Sequence, residues 1–70
     1  MKEVDIMLVS YMRLSPEQRE QVDYYVSEFT ENRMSLNQVL HEIIAEHKVE
    51  QKVAVTTVEA IRNVVNGMSY

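Results

Sequence analysis

The two histidines, His41 and His47, are the residues in this sequence best suited to bind a metal ion or to move a proton. They lie close to Glu42 and Glu46, and imidazoles and carboxylates are common zinc ligands. The histidines are six positions apart, however, which separates them by about 240° around a helix. A helical zinc site of the protease type needs histidines four positions apart. The spacing therefore predicts a solvated His41 and a His47 at the edge of an apolar stripe.

No other group in the sequence has an evident catalytic partner. The chain contains no cysteine, which excludes a thiol nucleophile, a thiolate zinc site and a disulfide. Its serines have no evident base partner, and one glycine is too few for a phosphate-binding loop. We therefore predict that the protein is not an enzyme and has no catalytic residue, metal, cofactor or small-molecule substrate.

Length and composition limit which classes of protein remain possible. The chain has 70 residues, enough for one small domain over 1–70, and folding removes only about 60% of the surface that such a chain exposes when unfolded. Small domains often gain stability by pairing, so we expect a homodimer. The longest apolar run, Ile6–Val9, is too short to span a bilayer, and Glu3 and Asp5 argue against a secretory signal. We expect a cytoplasmic protein without membrane contact.

The first amphipathic helix is predicted to begin at Pro16. Serine is a favoured N-cap residue, proline is favoured in the first turn, and Gln18 completes a capping box with Ser15. Apolar residues then recur at helical spacing, which predicts a helix over 16–31. The residues of its apolar side are Val22, Tyr25, Val26 and Phe29.

A second helix is predicted over 36–48 from the same start pattern, with Ser35 as the N-cap and Gln38 three residues later. The stripe that follows is the best developed in the sequence and is typical of a helix packed against a core. Its members are Leu36, Val39, Leu40, Ile43, Ile44 and His47. The short link before it lets the two helices pack as neighbours.

A third helix is predicted over 57–66. Thr56 and Glu59 have the spacing of a third capping box, and Asn66 followed by glycine is typical of a helix end. Its apolar residues are Val58, Ile61 and Val65. Residues 48–55 are compatible with a helix tail, a loop or a short strand. We expect the three apolar stripes, centred near Phe29, Ile44 and Ile61, to close against one another.

The N-terminal segment 3–14 fits two structures. As a strand it places Val4, Ile6 and Leu8 on one side, whereas as a helix it groups Val4, Met7 and Leu8. The fold class is therefore mainly α in a small single domain. Its first segment is either a fourth helix, as in a helix-turn-helix arrangement, or a strand that forms a dimer.

Acidic residues follow the outer side of the first helix and surround a tyrosine. Their spacing of three and four residues places neighbouring carboxylates about 5–6 Å apart, so the row could imitate a phosphate backbone or form an ordinary solvated face. The residues of this candidate partner-binding face are Glu17, Glu20, Tyr24, Glu28 and Glu31. Tyr11 and Tyr24 are the better candidates for interface anchors, because tyrosine buries area while its hydroxyl stays hydrated.

Residues 13–47 resemble the ribbon–helix–helix family of DNA-binding regulators. The segments that carry the resemblance are Arg13–Glu17 (RLSPE), then Val22, Tyr25 and Val26, then Glu31–Leu40 (ENRMSLNQVL). The resemblance implies an intertwined dimer whose ribbon enters the major groove with Val9, Tyr11 and Arg13. It also implies that backbone amides near Ser35 and Leu36 hold phosphate.

The second half of the chain is similar to a helix-turn-helix. Helix 36–47, a connector and helix 57–66 would form it, and the residues that would face DNA are Thr57, Arg62, Asn63 and Asn66. We therefore expect a small DNA-binding transcriptional regulator of phage or plasmid type. The alternative is an acidic modulator or inhibitor that binds another protein through helix 16–31. The net charge of -4 favours the alternative, because phosphate contacts need lysine and arginine.

Overall fold

Helices make up most of the chain in the computed structural model, which describes residues 9–68 and the side chains of residues 9–67. Their order along the described residues is α1 (Val9–Met12), α2 (Pro16–Thr30), α3 (Leu36–Leu40), a π-helical segment (His41–Ala45) and α4 (Gln51–Met68). No strand occurs in this part of the chain. The predicted mainly α class is confirmed.

The short helix α1 covers the described end of the predicted segment 3–14. Residues 9–12 are helical and residues 13–14 form a turn, in which the Leu14 N–H donates to the Tyr11 carbonyl over 3.1 Å. Tyr11 therefore lies in a helix rather than in extended backbone. The choice between helix and strand for residues 3–8 lies outside the described residues.

Helix α2 begins as the sequence predicts. The Gln18 N–H donates to Ser15 Oγ over 3.2 Å, and the Ser15 N–H donates to Gln18 Oε1 over 2.9 Å, so both halves of the capping box form. The helix ends at Thr30, one residue before the predicted end, and the Glu31 N–H donates to the Ser27 carbonyl.

The helix predicted over 36–48 starts correctly and ends early. The Gln38 N–H donates to Ser35 Oγ over 3.1 Å, which completes the second capping box with the Ser35 N–H. After Leu40 the backbone widens into the π-helical segment, and the Glu46 N–H donates to the His41 carbonyl over 3.0 Å. His47 then adopts a left-handed conformation with a φ of 53°, which stops the helix.

Helix α4 begins six residues before its predicted start, and the prediction of a capping box at Thr56 is wrong. Thr56 lies inside the helix, fully buried, and its Oγ1 donates to the Lys52 carbonyl over 2.8 Å. The helix also continues through the predicted stop at Asn66 to Met68, with no left-handed backbone at Gly67. Residues 48–50 are therefore loop, and residues 51–55 are the first turns of α4.

The core lies mainly between α2 and α4, and the π-helical segment closes one side. Two clusters of buried residues form it: Tyr25, Val39, Ile43, Ala54 and Ile61 in one, and Leu14, Val22 and Val53 in the other. Phe29 and Val26 pack against the first cluster, as expected. The prediction for Ile44 is wrong, since 54% of its surface is exposed, whereas Ile43 is 2% exposed. Both belonged to the predicted stripe, and only Ile43 is in the core.

Candidate protein-interaction surfaces

The outer side of α2 forms a polar surface around an exposed tyrosine. Glu17, Glu20, Gln21 and Tyr24 lie on it, and 55% of the surface of Tyr24 is exposed. Together with Tyr25 and with Lys48 and Val49 of the loop before α4, these residues line an open depression of about 520 Å³. We call Glu17, Glu20, Gln21 and Tyr24 the acidic face.

Tyr24 is held in place by its neighbour in the sequence. The rings of Tyr24 and Tyr25 meet edge to face, with centroids 5.1 Å apart and planes at 75°. Tyr25 is 6% exposed, and its hydroxyl donates to Glu42 Oε1 of the π-helical segment over 3.3 Å. Burial, and then the charge of Glu42, raise the pKa of Tyr25 above its ordinary value. An aromatic ring that is already ordered loses little entropy when a partner covers it.

The acids near the end of α2 are already neutralised within the chain. Asn32 has a φ of 64°, and the turn it makes brings Arg33 back to Glu28, where Nε lies 2.7 Å from a carboxylate oxygen. Arg33 also pairs with Glu31. Only 16% of the Glu28 side chain is exposed. Within the part of the chain that the structure describes, the partner-binding surface predicted over 17–31 therefore has carboxylates outside any ion pair only in its first half, at Glu17 and Glu20.

Tyr11, predicted both as a DNA contact and as an interface anchor, has an internal partner. Its hydroxyl donates to the two carboxylate oxygens of Asp23 over 3.0 and 3.1 Å, which ties α1 to α2. Burial, followed by the bond to Asp23, raises the pKa of Tyr11. The side chain is half-buried, so only part of its ring is open to a partner.

The residues predicted to contact DNA lie on separate elements. Arg13 is exposed in the turn after α1, and Ser35 uses its hydroxyl as the cap of α3. Arg62 and Asn63 are exposed on α4. Thr57 was predicted beside them, and this prediction is wrong because Thr57 is fully buried and its Oγ1 donates to the Val53 carbonyl over 2.8 Å.

The two histidines lie at opposite ends of the segment 41–47, and only His41 is part of a helix. His41 is exposed, and its Nε2 lies 3.0 Å from Glu46 Oε2. His47 is exposed at the left-handed turn after the π-helical segment. Within the described part of the chain, no group of three or more histidine, aspartate or glutamate residues is arranged to hold a metal ion.

A second surface was not predicted from the sequence. Between the π-helical segment and α4 runs an open groove of about 480 Å³, lined by apolar side chains that include Ile44, Val55 and Val58. We call it the apolar groove. Two features of the sequence are partial signals for it: the valines in the segment 48–55, whose structure the pattern left open, and the width of the apolar stripe of 36–48, which is more than one core can cover. The stripe alone does not show that Ile44 is the member left outside the core.

Comparisons with protein-family models, with curated proteins and with solved structures found no match for this chain. None of the helices among residues 9–68 combines the length and the apolar character that crossing a membrane requires. Inferences about function therefore rest on the two surfaces described above, the acidic face and the apolar groove.

Proposed function

We propose that this chain is a small non-enzymatic protein-binding domain that modulates or inhibits its partner through the acidic face. The observation that carries the proposal is the position of Tyr24, which is 55% exposed, held edge-on by Tyr25 and placed on the same side of α2 as Glu17 and Glu20. Ordered tyrosines are common anchors of protein interfaces, because they bury a large area at a small entropic cost.

The charges around the anchor define the chemistry of the partner. Glu17 and Glu20 are exposed, and no ion pair within the described residues involves either carboxylate. With a net charge of -4, the chain attracts a positively charged surface during diffusional encounter. The partner that fits is a protein surface rich in lysine and arginine with an apolar site for the tyrosine ring. Such a surface also binds nucleic acid, which makes a nucleic-acid-binding protein a suitable target.

The test compares two variants of equal net charge. Glu17→Gln with Glu20→Gln removes two charges from the acidic face, and Glu31→Gln with Glu46→Gln removes two charges elsewhere. Proteins captured from an extract of the expressing cells are compared among the wild type, both variants and Tyr24→Ala. We expect the first pair and Tyr24→Ala to lose at least nine-tenths of a specific partner that the second pair retains. Equal retention by all variants, or capture of no specific partner, would reject the proposal.

DNA binding by a transcriptional regulator is the second candidate function, and one observation favours it. Lys52, Arg62 and Asn63 are all exposed on the outer side of α4, and neither Lys52 nor Arg62 takes part in an ion pair among residues 9–67. The ribbon–helix–helix resemblance stays a prediction.

A gel shift with random duplex DNA at low salt separates the two candidates, because binding dominated by phosphate contacts appears without the correct sequence and weakens steeply as salt is added. For a protein-binding domain we expect no shift at micromolar protein. A shift that Arg62→Ala and Lys52→Ala abolish would establish the DNA-binding candidate in its place.

A further inference from the structure

The apolar groove has an apolar floor and a charged rim, and it meets the depression beside the acidic face at Val49, which lines both. Ile44 of the π-helical segment and Val55 of α4 line it, with 54% and 46% of their surfaces exposed. Val58 lies between them at half burial. Exposed apolar side chains gathered in one concave site are typical of a surface that another molecule covers.

The π-helical turn forms one wall of the groove. Within it Ile43 is buried, whereas Ile44 is exposed and lines the groove. Single π-helical turns within helices often occur at functional sites. The left-handed residue His47 then directs the chain away along the end of the groove, where its side chain joins the lining.

The charges on the rim identify the partner. Glu59 and Arg62 line the groove one helical turn apart on the exposed side of α4, so the rim carries one acid and one base. Consider two copies related by a two-fold axis, with their α4 helices packed side by side and antiparallel. If residue i of one helix then faces residue j of the other, residue j of the first also faces residue i of the second. Glu59 of each copy then faces Arg62 of the other. A basic protein or DNA would find no such complement, since the rim has no excess of one charge.

We propose that the apolar groove is the interface of a symmetric homodimer of this chain, in which Ile44 and Val55 are covered and Glu59 and Arg62 pair between copies. The Ser10 hydroxyl donates to Oε1 of Glu59 over 3.0 Å, and Oε2 remains available to the second copy.

Sedimentation equilibrium across a series of protein concentrations tests the dimer. We expect the mass of the wild type to rise from 8.2 kDa toward twice that value. Glu59→Arg and Arg62→Glu each place like charges opposite one another across the two-fold axis, so each should weaken association at least tenfold. The double variant with both changes restores opposite charges and should recover most of the association. Arg13→Glu makes the same change in net charge as Arg62→Glu, but outside the groove, and should associate like the wild type.

Circular dichroism of each variant shows whether the fold is kept, and none of these positions is buried. Ile44→Ser gives a second measure that does not depend on charge, because it removes apolar area from the interface without touching the core. The proposal is overturned if the wild type stays monomeric up to millimolar concentration, or if the two single charge variants associate as strongly as the wild type. A dimer that Ile44→Ser leaves unchanged would place the interface elsewhere and also overturn it.

Discussion

Helix α2 and the segment 36–45 begin with the same four-residue pattern and then diverge. Each starts at a serine whose hydroxyl accepts from the backbone of a glutamine three residues later, with closely similar distances. Helix α2 then continues for 15 residues as a regular α-helix with one polar side. The second segment changes to π-helical hydrogen bonding after five residues and presents an apolar side chain, Ile44, to solvent.

The divergence shows that a helix start is a local property and that the course of the helix afterwards is not. A capping box needs only residues within one turn. Beyond that turn the two segments differ in what they expose: Ile43 enters the cluster formed with Tyr25, Val39 and Ile61, and Ile44 faces outward. The regular helix thus presents a polar surface, and the irregular segment builds the apolar groove.

The sharpest test of this contrast uses two adjacent residues of the π-helical segment. Ile43→Asp buries a carboxylate without a partner, which we expect to cost more than about 4 kcal/mol and to abolish folding. Ile44→Asp places the same charge in solvent and should keep a cooperative thermal transition close to that of the wild type. Thermal unfolding followed by circular dichroism measures both. Similar destabilisation by the two substitutions would contradict the exposed position of Ile44.

Thr56 tests the finding that the third predicted capping box does not form. Asparagine is among the best N-cap residues, so Thr56→Asn would be neutral or stabilising if α4 began there. Inside the helix and fully buried, the asparagine amide lacks partners, and we expect a loss of about 2 kcal/mol. Urea unfolding distinguishes the two results. An unchanged free energy of unfolding would return the start of the helix to Thr56.

The two confirmed boxes should be equivalent despite the different helices that they start. Ser15→Ala and Ser35→Ala each remove one acceptor for a backbone N–H, and each should lower the free energy of unfolding by about 1 kcal/mol. Threonine at either position keeps the acceptor and is the matched control. If Ser35→Ala alone left the free energy of unfolding unchanged, packing and not the cap would stabilise the segment 36–45.

The hydrogen bond between Tyr25 and Glu42 joins the two regions, and its effect is the smallest. Tyr25→Phe should cost about 1 kcal/mol at neutral pH. Because the pKa of Tyr25 is raised in the folded state, its contribution is fully present below the ordinary pKa of about 10 and is lost as the pH rises through the folded value. The stability of the variant should therefore fall less steeply than that of the wild type above pH 10. Parallel pH profiles would contradict this role.

The sequence predicts what neighbouring residues determine. It identified the starts of α2 and α3, the burial of Val22 and Tyr25, and an outward side of α2 that holds Glu17, Glu20 and Tyr24.

The features that were missed depend on backbone conformations and hydrogen bonds that the residue pattern alone does not specify. A threonine that bonds to the carbonyl four residues before it, as Thr56 does, has the same sequence signature as a threonine at a cap. The pairing of Arg33 with Glu28 depends on the left-handed turn at Asn32, and the apolar groove depends on the π-helical turn.

The central claim is that the two surfaces have different roles: the apolar groove binds a second copy, and the acidic face stays free for another protein. A concentration series of ¹H–¹⁵N NMR spectra of the wild type tests it most directly. We expect concentration-dependent shifts around the groove, at residues 43–47 and 54–62, and none at residues 17–24. Shifts confined to residues 17–24, or spectra that do not change up to millimolar protein, would contradict the account.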